Sequence, residues 1–240
     1  MSVLEWKKDG NVAIITMTNG ENRHNLVFFN ALLQALAEIE ADAAATSVVI
    51  ASNDEKNWSQ GIDLTWMMSR MQEKDLKSIR EFLYLMNDTF KRLLLYPMPV
   101  IAAISGHAVA NGAILACACD FRFMTGDRGF FFFPEIDIGI PLLPGMAAFI
   151  PKAIPYYKFN EMILSGTRYF APEMAEHHVI QKACDSKEAL MADVMVFAQS
   201  FAKKRGIFGE MKTRLHRRLV DIIDTEDPPI IEPLNIMVQD

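Results

Sequence analysis

The stretch Gly106-His107-Ala108-Val109-Ala110-Asn111-Gly112-Ala113-Ile114-Leu115-Ala116-Cys117-Ala118-Cys119-Asp120 runs from a loop of small residues into an apolar helix pattern. A little downstream, Pro134-Glu135-Ile136-Asp137-Ile138-Gly139 follows four phenylalanines at 130–133. The first N–H groups of a helix have no intrahelical partner and carry the positive end of its dipole, so a helix opening at Asn111-Gly112 can stabilise an anion or a polarised carbonyl. Glu135 has apolar neighbours in sequence, and desolvation raises a carboxyl pKa towards the range of a general base. An N–H donor for a developing oxyanion beside one desolvated base is what enolate chemistry requires. Taken singly, the first segment also reads as an ordinary strand-to-helix turn, and Glu135 as a carboxylate at a strand end.

On either side the pattern alternates. Residues 12–17 and 47–51 read as strands, 25–39 as a helix through Leu26, Phe29, Leu32, Leu33, Leu36 and Ile39, and 62–71 as a short helix. Residues 76–95 read as a longer helix stopped by Pro97 and Pro99, before strands at 100–104 and 121–124. The N-terminus itself runs straight into a strand pattern. Such alternation predicts an α/β protein with parallel strands and right-handed crossovers. Beyond Pro134 the pattern is mostly helical, at 145–153, 157–164, 172–178, 187–204 and 209–223. The tail 227–240 carries three prolines and no periodicity, and reads as an extended arm across a neighbour or as partly disordered. The expected division is a core at 1–195 followed by a helical segment and tail at 196–240.

A chain of 240 residues fits one domain with a substantial core, and 51% hydrophobic against 22% charged residues excludes disorder. The formal charge of -6 is spread without a basic block, which argues against nucleic acid or an acidic membrane as partner. Arg214, His216, Arg217 and Arg218 fan around a helix and read as a solvated face. Cys117, Cys119 and Cys184 show neither a disulfide framework nor a zinc spacing and read as buried thiols, so no metal is expected. No segment is apolar for long enough to span a bilayer, and a cytoplasmic protein is the expectation.

A second small-residue turn stands at Trp58-Ser59-Gln60-Gly61-Ile62-Asp63-Leu64, where Gly61 lets backbone approach a ligand closely. With this segment, the run 105–120 and Pro134-Glu135-Ile136 in order, the chain from Val12 to about Val220 resembles the crotonase superfamily of acyl-CoA enzymes, which includes enoyl-CoA hydratases and isomerases. That resemblance implies a crotonase-like spiral fold, with oxyanion N–H donors on Gln60 and on Asn111, where the family usually has glycine. Hydratases of the family carry a glutamate at the position of Ile114, and the second glutamate of their pair matches Glu135. A lone Glu135 facing an enolate stabiliser is similar to the arrangement of Δ3,Δ2-enoyl-CoA isomerases.

The resemblance further implies a coenzyme A site from Arg23 and Asn25 with Gly61, Ile62, Asp63 and Leu64, although residues 23–25 read equally as a helix-capping loop. Trp66, Ile114 and Phe133 are expected in the acyl pocket; Trp66, Met67 and Met68 read also as plain core. His107 matches no catalytic position of the family. The implied partner is an acyl-CoA thioester, with coenzyme A entering as part of the substrate and no separate cofactor, and the implied assembly is a homotrimer or hexamer. Two alternatives stay open: a hydratase in which Asp63 or Asp137 replaces the missing glutamate, and a non-catalytic acyl-CoA binder.

Overall fold

Two sheets organise the chain in the computed structural model, which describes residues 2–201 and 203–238. The strands are β1 (Leu4–Asp9), β2 (Val12–Met17), β3 (Ser47–Ser52), β4 (Asn57–Ser59), β5 (Val100–Ile104), β6 (His107–Val109), β7 (Phe121–Thr125), β8 (Phe131–Phe132) and β9 (Ala183–Cys184). The larger sheet has the order β1-β2-β3-β5-β7-β9 and is parallel except for the β1–β2 hairpin; the smaller one, β4-β6-β8, is parallel throughout. The strands alternate with helices α1 (Leu26–Ala41), α2 (Leu64–Gln72), α3 (Leu76–Leu95) and α4 (Asn111–Ala118). Then come α5 (Pro144–Phe149), a 3-10 turn (Ile150–Lys152), α6 (Tyr156–Ser165), α7 (Ala171–Glu176), α8 (Lys187–Gln199), α9 (Arg205–Glu226) and α10 (Pro228–Ile231).

The central strands β2, β3 and β5 are largely apolar and buried along nearly their whole length because both faces of the sheet are covered. Successive side chains point to opposite faces. Val12, Ile14, Val49, Ala51, Ile101 and Ala103 meet Leu190, Val194 and Ala198 of α8, while Ala13, Ile15, Val48, Ile50, Ala102 and Ile104 belong to the main core with Phe29, Leu32, Leu36 and Phe90. The three cysteines are free and buried, and burial pushes the Cys117 thiol up to about 11. None of the described helices is long and apolar enough to cross a membrane.

Several sequence expectations change. Strands β4, β6 and β8 have two or three residues each, too short to leave a period in the sequence, so the second sheet was not anticipated. The helix expected over 187–204 stops at Gln199. The tail 227–240, expected as an arm across a neighbour or partly disordered, folds back on its own chain over 227–238, and 239–240 lie outside the described residues. Asp227 is buried and accepts from Asn87 Nδ2 at 2.9 Å and from the Gly145 N–H that opens α5 at 2.8 Å. Arg80 Nε donates to the Glu232 carbonyl at 2.8 Å, and Val238 N donates to Gly139 O at 2.9 Å. Val220 and Ile223 of α9 and Ile231 of α10 enter the main core. Arg214 and Arg217 pair along the exposed face of α9 with Glu210 and Asp221.

Candidate active site

Residues 21–24 lie alongside residues 60–63, and this pairing decides which N–H groups are free. Gln60 N donates to Glu21 O at 3.0 Å, His24 N to Gly61 O at 2.7 Å, and Asp63 N to His24 O at 2.9 Å. Gly61 N donates to Ser59 Oγ at 3.1 Å. The Gln60 N–H expected as an oxyanion donor is therefore committed to the backbone, and the assignment is corrected. Among the described residues, the one amide of this segment without an acceptor is that of Ile62.

The facing segment ends β6 and opens α4. Ala110 N donates to Phe132 O at 3.1 Å, and the next amide, Asn111 N, has no acceptor among the described residues. Ala110 has φ 50 and ψ -126, a conformation that a Cβ disfavours by roughly 1–3 kcal/mol and that surrounding structure must impose. The twist turns the Asn111 N–H out of the ladder before the helix can use it. Ala110→Gly is expected to relieve this strain and, net of glycine's larger entropy loss, to stabilise the fold by about 1 kcal/mol, read as a raised denaturation midpoint at unchanged slope.

The two segments touch. A methyl group on Gly61, at φ 77, would sit 2.8 Å from Val109 O and 3.0 Å from Asn111 N; one on Gly112 would sit 2.5 Å from Ser59 O. Glycine at both places is thus a packing requirement that brings the Ile62 and Asn111 backbones together.

Glu135 follows β8 in the turn 134–139. Its residue surface is 8% exposed, and Oε2 is buried without a hydrogen-bond partner among the described residues. Burial pushes its carboxyl up to about 7. Phe131 and Phe133, both fully buried, precede it in the chain. A carboxyl in this state exchanges protons near neutrality, which is the property a proton shuttle needs.

The other expected residues divide. Ile114 lies about one helical turn past Asn111 and is buried, as is Phe133. Trp66 is half-buried with its ring 5.4 Å from Phe82, and Met67 is buried core, whereas Met68 and Leu64 are exposed. Asn25 and Asp63 are helix caps: Asn25 accepts from Phe28 N, Asp63 accepts from Trp66 N, and Asn25 Nδ2 donates to Asp63 Oδ2 at 3.2 Å. These bonds commit both side chains to capping, whereas the neighbouring Arg23 is half-exposed and paired with Glu21. His107 is half-buried, with Nδ1 accepting from Phe130 N at 3.3 Å.

His24 is the residue whose place sequence reading missed. It is fully buried, stacked 4.3 Å from Phe28, with Nδ1 at 2.8 Å from Asn111 Nδ2 and Nε2 at 2.9 Å from Ser59 Oγ. Burial holds its pKa down at about 3, so the ring is neutral. The signal available in the sequence was Phe28 four residues on, but nothing local connects position 24 to 59 or 111.

Known proteins share this architecture. A probable enoyl-CoA hydratase from Mycobacterium tuberculosis H37Rv superposes with a TM-score of 0.86 over 97% of this chain and 96% of its own, at 21% identity. An enoyl-CoA hydratase from Bacillus halodurans gives 0.85 over 96% and 93%, at 20% identity. Among curated sequences, enoyl-CoA delta isomerase 3 of Arabidopsis thaliana is 28% identical over 225 residues, 91% of this chain and 94% of that protein. The short-chain-enoyl-CoA hydratase of Clostridium acetobutylicum is 27% identical over 77% of this chain and 69% of its own length. The family described as enoyl-CoA hydratase/isomerase matches residues 7–225. With the crotonase-type fold, that match covers nearly the whole chain and every segment of the site: the protein belongs to the enoyl-CoA hydratase/isomerase family.

Proposed function

We propose that the protein moves the double bond of a 3-enoyl-CoA thioester into the 2-position by a proton shuttle on Glu135. The carboxylate removes a proton from the carbon α to the thioester, electrons shift onto the thioester oxygen, and the Ile62 and Asn111 N–H groups hold the resulting dienolate. The protonated carboxyl then returns the proton to the γ carbon, and Glu135 leaves the cycle ionised as it entered. No water is consumed.

The observation that carries this reading is the solitary state of Glu135. Hydration needs a second group to hold and activate water, and the candidates for that part are otherwise engaged. Ile114 is aliphatic, Asp63 caps α2, and Asp137 is exposed, its Oδ2 2.6 Å from where a methyl on Gly166 would stand. Isomerisation uses one base on one face of the substrate, and the relatives named delta isomerases are consistent with it. The acyl-CoA substrate, like the isomerase activity, rests here on membership of the family and on the site's chemistry.

Two assays test the proposal. Incubation with a 3-enoyl-CoA should generate the absorbance of the conjugated enoyl thioester, and a reaction in deuterated water should place deuterium at the α or γ carbon. Loss of that absorbance from a 2-enoyl-CoA at a comparable rate would make the enzyme a hydratase. Tight binding with neither signal would make it a binding protein.

A further inference from the structure

We propose that His24 is a positioning residue that couples the two N–H donors, tying the Asn111 turn to the Ser59–Ile62 turn through a neutral imidazole. This rests on the oxyanion reading given above and identifies what keeps its two halves in register.

Counting protons assigns the direction of every bond in the chain. Ser59 Oγ donates its hydrogen to Asn22 O at 2.8 Å and accepts from Gly61 N at 3.1 Å. Its remaining bond, to His24 Nε2 at 2.9 Å, is then one in which the ring donates. A neutral ring with its hydrogen on Nε2 can only accept at Nδ1, so Asn111 donates through Nδ2 at 2.8 Å. This orientation leaves Asn111 Oδ1 buried without a partner among the described residues. A buried orphan acceptor is unfavourable, and the bond to the ring is what keeps the amide turned this way.

Three further contacts confine the residue. Its ring is stacked on Phe28, its backbone N–H donates to Gly61 O at 2.7 Å, and its backbone carbonyl accepts from Asp63 N at 2.9 Å. His24 thus grips the Ile62 segment by backbone on both sides and the Asn111 residue by side chain. Asn111 and Ile62 carry the two amides assigned to the oxyanion, yet they come from turns about fifty positions apart in sequence. A displacement of about 1 Å between such groups lowers a rate by on the order of 10²-fold.

The test compares His24→Leu, which removes both ring bonds, with His24→Gln, whose amide can donate at one end and accept at the other. The probe is a saturated acyl-CoA, whose bound thioester carbonyl reports polarisation through its infrared stretching frequency. Wild type should shift that band to lower frequency. His24→Leu should bind the probe within about threefold of wild type, lose most of the shift and lower kcat about 10²-fold with little change in KM. His24→Gln should recover the shift and most of kcat. Should His24→Leu not fold, Ser59→Ala and Asn111→Ala break the chain at either end and should each reduce the shift, with effects that fail to multiply in the double variant. An unaltered shift and kcat in His24→Leu, or His24→Gln no better than His24→Leu, would overturn the positioning role. Absence of any shift in wild type would instead remove the oxyanion reading on which it stands.

Discussion

Glu135→Gln should lower the isomerisation rate by about 10³-fold while acyl-CoA binding stays intact, because an amide of the same shape can neither take nor return a proton. In the wild type, kcat/KM should rise with pH through a limb near 7, since the group must be ionised to begin the cycle and burial has pushed it up to about 7. A rate that is flat between pH 5 and 9, or a fully active Gln variant, would remove Glu135 from the chemistry. The same residue should leave a mark on stability. Its carboxyl rises from 4.5 to about 7 on folding, so between those values the folded state binds more protons than the unfolded one. Stability from this group is therefore lost as pH climbs from about 4.5 to 7, and above that the penalty is constant at about 3 kcal/mol. Gln carries no such penalty. Unfolding free energies of Glu135→Gln and wild type, extrapolated from denaturant titrations, should diverge in the variant's favour by roughly that amount between pH 4 and pH 8. A catalytic carboxyl held at the expense of stability would show this crossing of the two properties; a surface carboxylate would show neither.

Gly61→Ala should damage the site directly, because its added methyl presses on the facing turn. At φ 77 the backbone conformation disfavours any Cβ, and the added carbon would press on Val109 O at 2.8 Å and Asn111 N at 3.0 Å. Both are main-chain atoms that cannot swing aside. The turns must separate, which withdraws one amide from the thioester oxygen; loss of one such donor lowers rates by about 10²–10³-fold. A concurrent loss of about 2 kcal/mol in unfolding free energy is expected from strain. Residual activity should be measured where the variant remains folded by circular dichroism. A folded Gly61→Ala with wild-type kcat would mean that the Ile62 and Asn111 amides do not act together.

Much of this was readable from residue order. The apolar runs of β2, β3 and β5, the period of α1 and α3, the prolines that end α3 and the small-residue turns before Ile62 and Asn111 are all local signals, because pleat, helical repeat and turn chemistry are properties of neighbouring residues. The apolar neighbourhood of Glu135 was legible for the same reason. The short strands of the second sheet were not, since two or three residues carry no period. Nor was the docked tail, whose anchors at Asp227 and Glu232 depend on partners in α3 and α5.

What residue order alone determined is the set of parts: one carboxyl with apolar neighbours and two small-residue turns whose amides can face a ligand. What only the tertiary structure decided is which amide is left free for that part in the proposed reaction. Gln60 and Ile62 are two residues apart in one turn, and no local property separates them. Pairing of residues 21–24 with 60–63 commits the first to Glu21 and leaves the second free, and the same pairing carries His24 to Asn111. A hydrogen bond saturates its donor, so the allocation of N–H groups follows from the register between distant segments, which only the folded chain specifies.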